Sequence, residues 1–290
     1  MNSPFDAARQ MMDAMAKAGI TPIDDISNQL VAKSGKFLRF RCIGDKSGTK
    51  NGFAILYLIP AQCGIFGHWA KQIKGKWHPY GKSFLTAKYQ KMMYEFRSQQ
   101  INEEQAEQLR LSAVFQAHIA SFRAAEPNHP YLRKKGIQPI GLLQDGHCLV
   151  APMTDIFGKI WNYQQILSNG RKYYRSGARR KETFWSFGLN LGSPDHSDPQ
   201  VIYVGEGVAT MIAVHFNTWA PVVAAMDTSG LKACGLALQG RFPSTKIVFC
   251  ADDDAATAKR IGKNPGLSAA EAAAAAVGGW IAIPRSRQQS

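Results

Sequence analysis

Acid is what this sequence is short of where base is densest. Between residues 33 and 91 a single acid, Asp45, faces 12 lysines and arginines, and between 159 and 181 seven basic residues face none. Over all 290 residues, 35 Lys and Arg stand against 21 Asp and Glu, a formal charge of +14 at pH 7. A chain this basic meets polyanions, and nucleic acid leads that class. Cysteine is scarce too: Cys42, Cys63, Cys148, Cys234 and Cys250 are scattered, with no C-x-x-C pair. An odd count without paired spacing argues against a disulfide framework and fits a reducing cytoplasm. No apolar run is long enough to cross a membrane, so no membrane partner is expected. Asp6, Arg9 and Asp13 near the start argue against a signal peptide.

What is present centres on residues 201–254. Two apolar runs there each close on acid: Val201-Ile202-Tyr203-Val204-Gly205-Glu206 and Lys246-Ile247-Val248-Phe249-Cys250-Ala251-Asp252-Asp253-Asp254. Both are short, unbroken and rich in β-branched or aromatic residues, as in strands buried on both faces of a parallel sheet. Residues 207–216 have helical composition and 222–226 read as another buried strand, which gives a βαβ order. In such sheets the carboxyl ends of the strands line the ligand crevice, and Glu206, Asp252 and Asp254 fall there. Clustered carboxylates repel unless a cation neutralises them, and hard oxygen ligands beside a polyphosphate point to Mg²⁺ or Mn²⁺.

Strand–Glu–Gly followed by strand–Asp–x–Asp resembles the topoisomerase–primase (Toprim) domain over residues 201–284. The run Asn264-Pro265-Gly266-Leu267-Ser268 and the region before the sheet resemble primases of plasmids and phages, the TraC-like conjugative type, related to bacterial DnaG-type primases. The resemblance implies an α/β fold, α+β overall. A C-terminal Toprim domain carries a parallel sheet flanked by helices. A β-rich basic subdomain and an N-terminal helical/β module precede it. It also implies a metal site of Glu206, Asp252 and Asp254, with Asp253 pointing away or in the outer shell. One departure is Thr210, where many Toprim domains carry Asp.

The expected domains are a basic, aromatic β module over 1–85, a helical connector over 86–128, the first part of a primase core over 129–200, the Toprim domain over 201–284, and a tail over 285–290. Ser3, Pro4 and Asp6 should start a helix with Phe5, Ala8, Met12 and Met15 on one face, stopped by Gly19. Residues 36–59 read as a β-hairpin with its turn at 45–52. Ten aromatics between Phe37 and Tyr89 interleave with the basic residues, a pattern that suits single-stranded nucleic acid or, ring by ring, a small core. Related primases often begin with a zinc ribbon. Cys42, Cys63, His68 and His78 are the nearest approach to one here, and their irregular spacing weighs against zinc. Residues 86–125 read as two helices, with Asn102 and Gln105 restarting the second.

Residues 129–137 read as a short basic helix carrying Lys134 and Lys135. The segment Lys172-Tyr173-Tyr174-Arg175 resembles the basic Lys-Tyr segment that faces the metal centre in bacterial-type primases. Arg179, Arg180 and Lys181 follow, a run able to hold phosphates bidentately or simply an exposed loop. Residues 227–230 either line the nucleotide site or cap the next helix. Lys259, Arg260 and Lys263 lie near the acids in sequence, and Ser268 with Glu271 reads as a capping box ended by Gly278.

These observations together lead to an enzyme: a DNA primase that makes short RNA primers on single-stranded DNA from nucleoside triphosphates. Its expected partners are the template, the triphosphates and a replicative helicase, either separate or in the same polypeptide, since related primases continue past the last strand. Glu206 is either a ligand or a proton acceptor. The competing readings are a Toprim nuclease or topoisomerase and a non-catalytic single-strand-binding accessory protein.

Overall fold

Ser3 opens the first helix as its sequence predicts. Its hydroxyl accepts from the Asp6 N–H at 3.1 Å and donates to the Asp6 carboxylate at 2.6 Å, with Pro4 in the first position. The computed structural model describes residues 2–79, 87–193, 197–251 and 264–283, and of residues 87–90, 92 and 93 only the backbone. The chain divides into two units, Met1–Glu103 and Glu104–Ser290. Among the described residues no helix is long and apolar enough to cross a membrane.

In the first unit, α1 (Pro4–Lys17) and α2 (Ser27–Ala32) cover one face of an antiparallel sheet in the order β1 (Leu38–Phe40), β2 (Gly52–Tyr57), β3 (Cys63–His68), β4 (Ile73–Trp77). The predicted hairpin is β1–β2, with Leu38 opposite Ala54. The face of α1 that is buried differs from the expected one. Ala7, Ala8, Met11 and Met15 are inside, whereas Phe5 is 48% exposed and Met12 packs at the margin. The small side chains decide this. Met11 reaches over Gly64 so closely that a Cβ there would lie 2.5 Å from the Met11 sulfur. Leu38, Phe40, Ala54, Leu56, Phe66 and Trp77 complete that core.

The chain continues in α3 (Ala87–Ser121), one unbroken helix of 35 residues rather than two. No Gly or Pro interrupts it, and Asn102 costs too little to stop propagation.

The second unit holds two five-stranded sheets. One is antiparallel: β5 (Arg123–Ala124), β6 (Leu143–Asp145), β7 (Cys148–Thr154), β8 (Ile160–Ile166), β9 (Lys172–Tyr174), with α4 (Pro130–Lys135) before β6. The other runs β10 (Trp185–Phe187), β12 (Val222–Ala224), β11 (Val201–Gly205), β13 (Lys246–Cys250), β14 (Trp280–Ala282). Its last four strands are parallel and β10 is an antiparallel edge, so residue stretch 129–200 contributes a strand to the sheet that follows it. The crossovers are α5 (Val208–Thr218), α6 (Leu231–Arg241) and α7 (Pro265–Val277). Helices α6 and α7 bury Ile202, Val204, Val223 and Phe249 on one face. On the other, Val208, Met211 and Ile212 of α5 pack with Leu149, Ala151 and Ile166 of the antiparallel sheet. The class is mixed α/β, as expected. One local expectation fails: α7 is capped by Asn264, whose side chain accepts from the Leu267 N–H at 3.2 Å, and not by Ser268. Asn followed by Pro at the first helical position is the stronger start.

Candidate active site

The strand order places the site. From β11 the chain passes through α5 to β12 on one side, then through α6 to β13 on the other side of β11. The order reverses between β11 and β13, and a parallel sheet opens a crevice at such a point, beyond the carboxyl ends. Glu206 stands directly after β11. The pairing of Val204 with Phe249 sets the end of β13 beside it. Asp252, Asp253 and Asp254 follow Ala251 in sequence and lie outside the described residues, as do Lys259, Arg260 and Lys263.

The backbone around Glu206 is fixed from β12. Ala225 N–H donates to Gly205 O at 2.8 Å and Met226 N–H donates to Glu206 O at 3.0 Å. Met226 adopts φ +73°, a left-handed conformation rare for a residue with a side chain. Its carbonyl is held in turn by the Tyr174 hydroxyl at 3.2 Å, and that hydroxyl accepts from Gln164 Nε2 at 2.7 Å. Burial raises the Tyr174 pKa, so the phenol stays a donor at neutral pH. Asp227 caps the turn that leads into α6: its carboxylate accepts from Gly230 N–H at 3.0 Å and from the Ser229 hydroxyl at 2.6 Å. A cleft of about 400 Å³ opens here, lined among others by Met226, Asp227, Ser229, Arg180, Thr183 and Cys234. That volume lies within the range of small-ligand sites.

Strand β9 decides which basic residues reach the crevice. Lys172 pairs with buried Ile166 and Tyr174 with buried Gln164; Lys172 itself is exposed and Tyr174 half-buried, while Tyr173 between them, 46% exposed, falls on the opposite side of the strand. The Lys172 ammonium lies 4.0 Å from where a Cβ on Gly207 would stand. The tyrosine that meets the crevice is therefore Tyr174, which the sequence reading passed over for Tyr173. Arg180 arrives from the following loop. Its guanidinium lies 3.8 Å from the Tyr174 ring centre and pairs with Asp227 at 3.1 Å. Lys181 lines the same cleft, and Arg175 and Arg179 are placed elsewhere. Arg175 packs over Tyr163, Arg179 lies over Trp161 and pairs with Glu182, and Lys181 is exposed near Glu182. Lys134 and Lys135 occupy the exposed last turn of α4, where positive charge suits the helix end.

The first unit holds a cluster of its own. Ligand atoms of Cys42, Asp45 and His68 lie within 4.8 Å of one another. Cys63 and His78 are not in this group, and Asp45, read from sequence only as a turn residue, is. The Asp45 carboxylate accepts from Cys42 N–H at 2.9 Å and Asn51 Nδ2 at 2.7 Å, which holds its pKa at about 2. His68 Nδ1 accepts from Lys71 N–H, and its Nε2 lies 3.2 Å from Asp45 Oδ1 without the alignment of a hydrogen bond. Among the described residues the group has three donors, one short of a closed structural zinc site, and Asp45 is already engaged.

No family model matches the chain. Two curated proteins of Escherichia coli, each named DNA primase TraC, are each 30% identical to it, over 289 and 281 residues. The alignments cover 96% and 95% of this chain but 26% and 19% of those proteins, so the chain spans about a quarter of their length or less. The primase resemblance read from the sequence therefore agrees with a likeness to DNA primase TraC over nearly the whole chain. Among solved structures, the primase fragment of the bacteriophage T7 primase-helicase protein aligns at 18% identity and TM-score 0.40, over 57% of this chain and 71% of that one. The DnaG primase catalytic domain bound to ssDNA aligns at 15% identity and TM-score 0.42, over 64% and 74%.

Proposed function

We propose that this chain, a relative of DNA primase TraC over nearly all its length, synthesises short RNA primers on single-stranded DNA from nucleoside triphosphates by metal-dependent nucleotidyl transfer. The observation that carries the reading is Glu206 at the reversal point of the sheet, beside the strand that runs into Asp252-Asp253-Asp254, with Lys172 over the same turn. The donor chemistry fits a hard divalent cation, since all four side chains offer carboxylate oxygen. Glu206, Asp252 and Asp254 would hold it, with Asp253 outside the first ring of ligands. Once bound, Mg²⁺ or Mn²⁺ neutralises charge on the triphosphate and on the attacking 3′-oxygen.

The chain's own groups do the positioning. Lys172 offers an ammonium to phosphate oxygens, and Arg180, stacked on Tyr174, presents a planar guanidinium at the cleft mouth. Tyr174 and Gln164 fix the Met226 carbonyl and thereby the backbone beside Glu206. A plasmid or phage setting, with a replicative helicase separate or in the same polypeptide, fits this reading.

The test is direct. The chain is incubated with single-stranded DNA, labelled nucleoside triphosphates and Mg²⁺ or Mn²⁺, and short RNA is expected. Glu206→Gln and Asp252→Ala should each reduce synthesis on the order of a hundredfold or more while template binding changes little. Cleaved DNA in place of RNA, or binding without synthesis in the unaltered chain, would overturn the reading.

A further inference from the structure

Among the described residues, two acids closely follow parallel strands at the carboxyl end of the sheet: Glu206 after β11 and Asp227 after β12. The metal site read from the sequence uses the first and leaves the second without a task. A spare carboxylate beside a polyphosphate is a liability. At about 7 Å in water its charge weakens the binding of one phosphate charge about threefold.

The contacts of Asp227 show what it does instead, because its two oxygens are divided. Oδ1 accepts from the Gly230 N–H at 3.0 Å and from the Ser229 hydroxyl at 2.6 Å, which locks the carboxylate to the turn before α6. Oδ2 accepts from the Arg180 Nη2 at 3.1 Å. The Arg180 guanidinium also lies 3.8 Å from the centre of the Tyr174 ring. That ring is itself held, since its hydroxyl donates to Met226 O and accepts from Gln164. Both supports of Arg180 are therefore anchored, one to the turn before α6 and one to β8 and the end of β12. Met226 in turn donates its N–H to Glu206 O at 3.0 Å, which ties the segment bearing Asp227 to the Glu206 turn.

The ion pair is half in water, with side chains 46% and 42% exposed, so it adds little to the stability of the fold. Its effect falls on binding. An arginine that a ligand must first immobilise gives up rotamer freedom equivalent to a factor of about ten to thirty in affinity. Here that ordering precedes the ligand, and the gain exceeds the threefold repulsion.

We propose that Asp227 is a positioning residue that holds Arg180 aimed at the phosphates of the nucleoside triphosphate, and that it neither binds the metal nor touches the substrate. That the anion is a triphosphate rests on the function proposed above.

The test measures equilibrium binding of ATP with Mg²⁺ to the full chain, beside KM and kcat for RNA synthesis. Asp227→Asn separates the tasks of the two oxygens. Asparagine caps a turn as well as aspartate does, with its oxygen on the Gly230 N–H and its amide toward Arg180, so the turn survives and the pair is lost. ATP binding and KM should each worsen about fivefold, with kcat within about twofold and the melting temperature little changed. Arg180→Ala should weaken ATP binding at least as much, and Asp227→Asn added to it should weaken it no further, since no guanidinium is left to aim. Unchanged or tighter ATP binding in Asp227→Asn makes Asp227 a cap or a repelling bystander and overturns the proposal. A double variant whose loss is the product of the two single losses overturns it as well. A chain that binds ATP yet makes no RNA refutes primer synthesis, and the binding comparison still decides the role of Asp227. An unaltered chain that does not bind ATP overturns both.

Discussion

Asp45 carries pH sensitivity into the first unit. Its carboxylate is bonded by Cys42 N–H, Asn51 Nδ2 and Asn51 N–H, which lowers its pKa to about 2 from an ordinary value near 3.9. A depressed carboxyl pKa stabilises the fold above its unfolded value and loses that contribution as pH falls through the folded one. Thermal melts should therefore be insensitive to this group above about pH 5 and fall between about pH 4 and 2. Asp45→Asn should melt lower at pH 7 and show less of that acid slope. At the same scale, Tyr174→Phe removes the hydroxyl between Gln164 and Met226 and should cost about 1 kcal/mol in urea unfolding, while Tyr173→Phe should cost nothing measurable. The sequence showed the Lys-Tyr-Tyr segment but not its phase. Which tyrosine faces the crevice depends on the register of β9 against β8, and three residues are too few to reveal an alternation.

The elements differ in how clearly their sequences announce them. The strands of the parallel sheet were legible because each is an unbroken apolar run, and an acid, Gly or Pro bounds most of them. Helix α3 was misread because a helix stops at a breaker or a paid-for alternative, and an Asn in a Glu- and Gln-rich stretch is neither. Glu104→Pro is the corresponding prediction. It should remove about 3 kcal/mol of helical stability and open a protease-sensitive point near residue 104, while the near-UV signal of the packed cores persists. The start of α7 gives a second contrast. Asn264→Ala should cost about 1 kcal/mol and Ser268→Ala close to none, since the cap bond to Leu267 N–H comes from Asn264. The buried face of α1 was predicted one position off, because Gly64 across the sheet selects Met11 and nothing local to the helix encodes that contact.

At the scale of the molecule, the separation of charge was readable before any coordinates. Six basic and six acidic residues balance over 201–284, whereas 33–91 and 159–181 are almost purely basic. The sequence did not reveal which cations are free for phosphate. Arg179 pairs with Glu182, while Lys74 and Lys76 are exposed and make no ion pair among the described residues. Salt separates these cases. Each phosphate neutralised on a single strand lowers the slope of log K against log salt by about 0.7. Lys74→Ala with Lys76→Ala should therefore make that slope shallower by about 1.4 for a thymidine 20-mer. Arg179→Ala should change it little, because its guanidinium is held by Glu182 and the Lys181 carbonyl. Glu206→Gln should leave the slope unaltered while synthesis is lost. A slope that moved with Glu206 and stood still with the two lysines would place the template on the acidic crevice and not on Lys74 and Lys76.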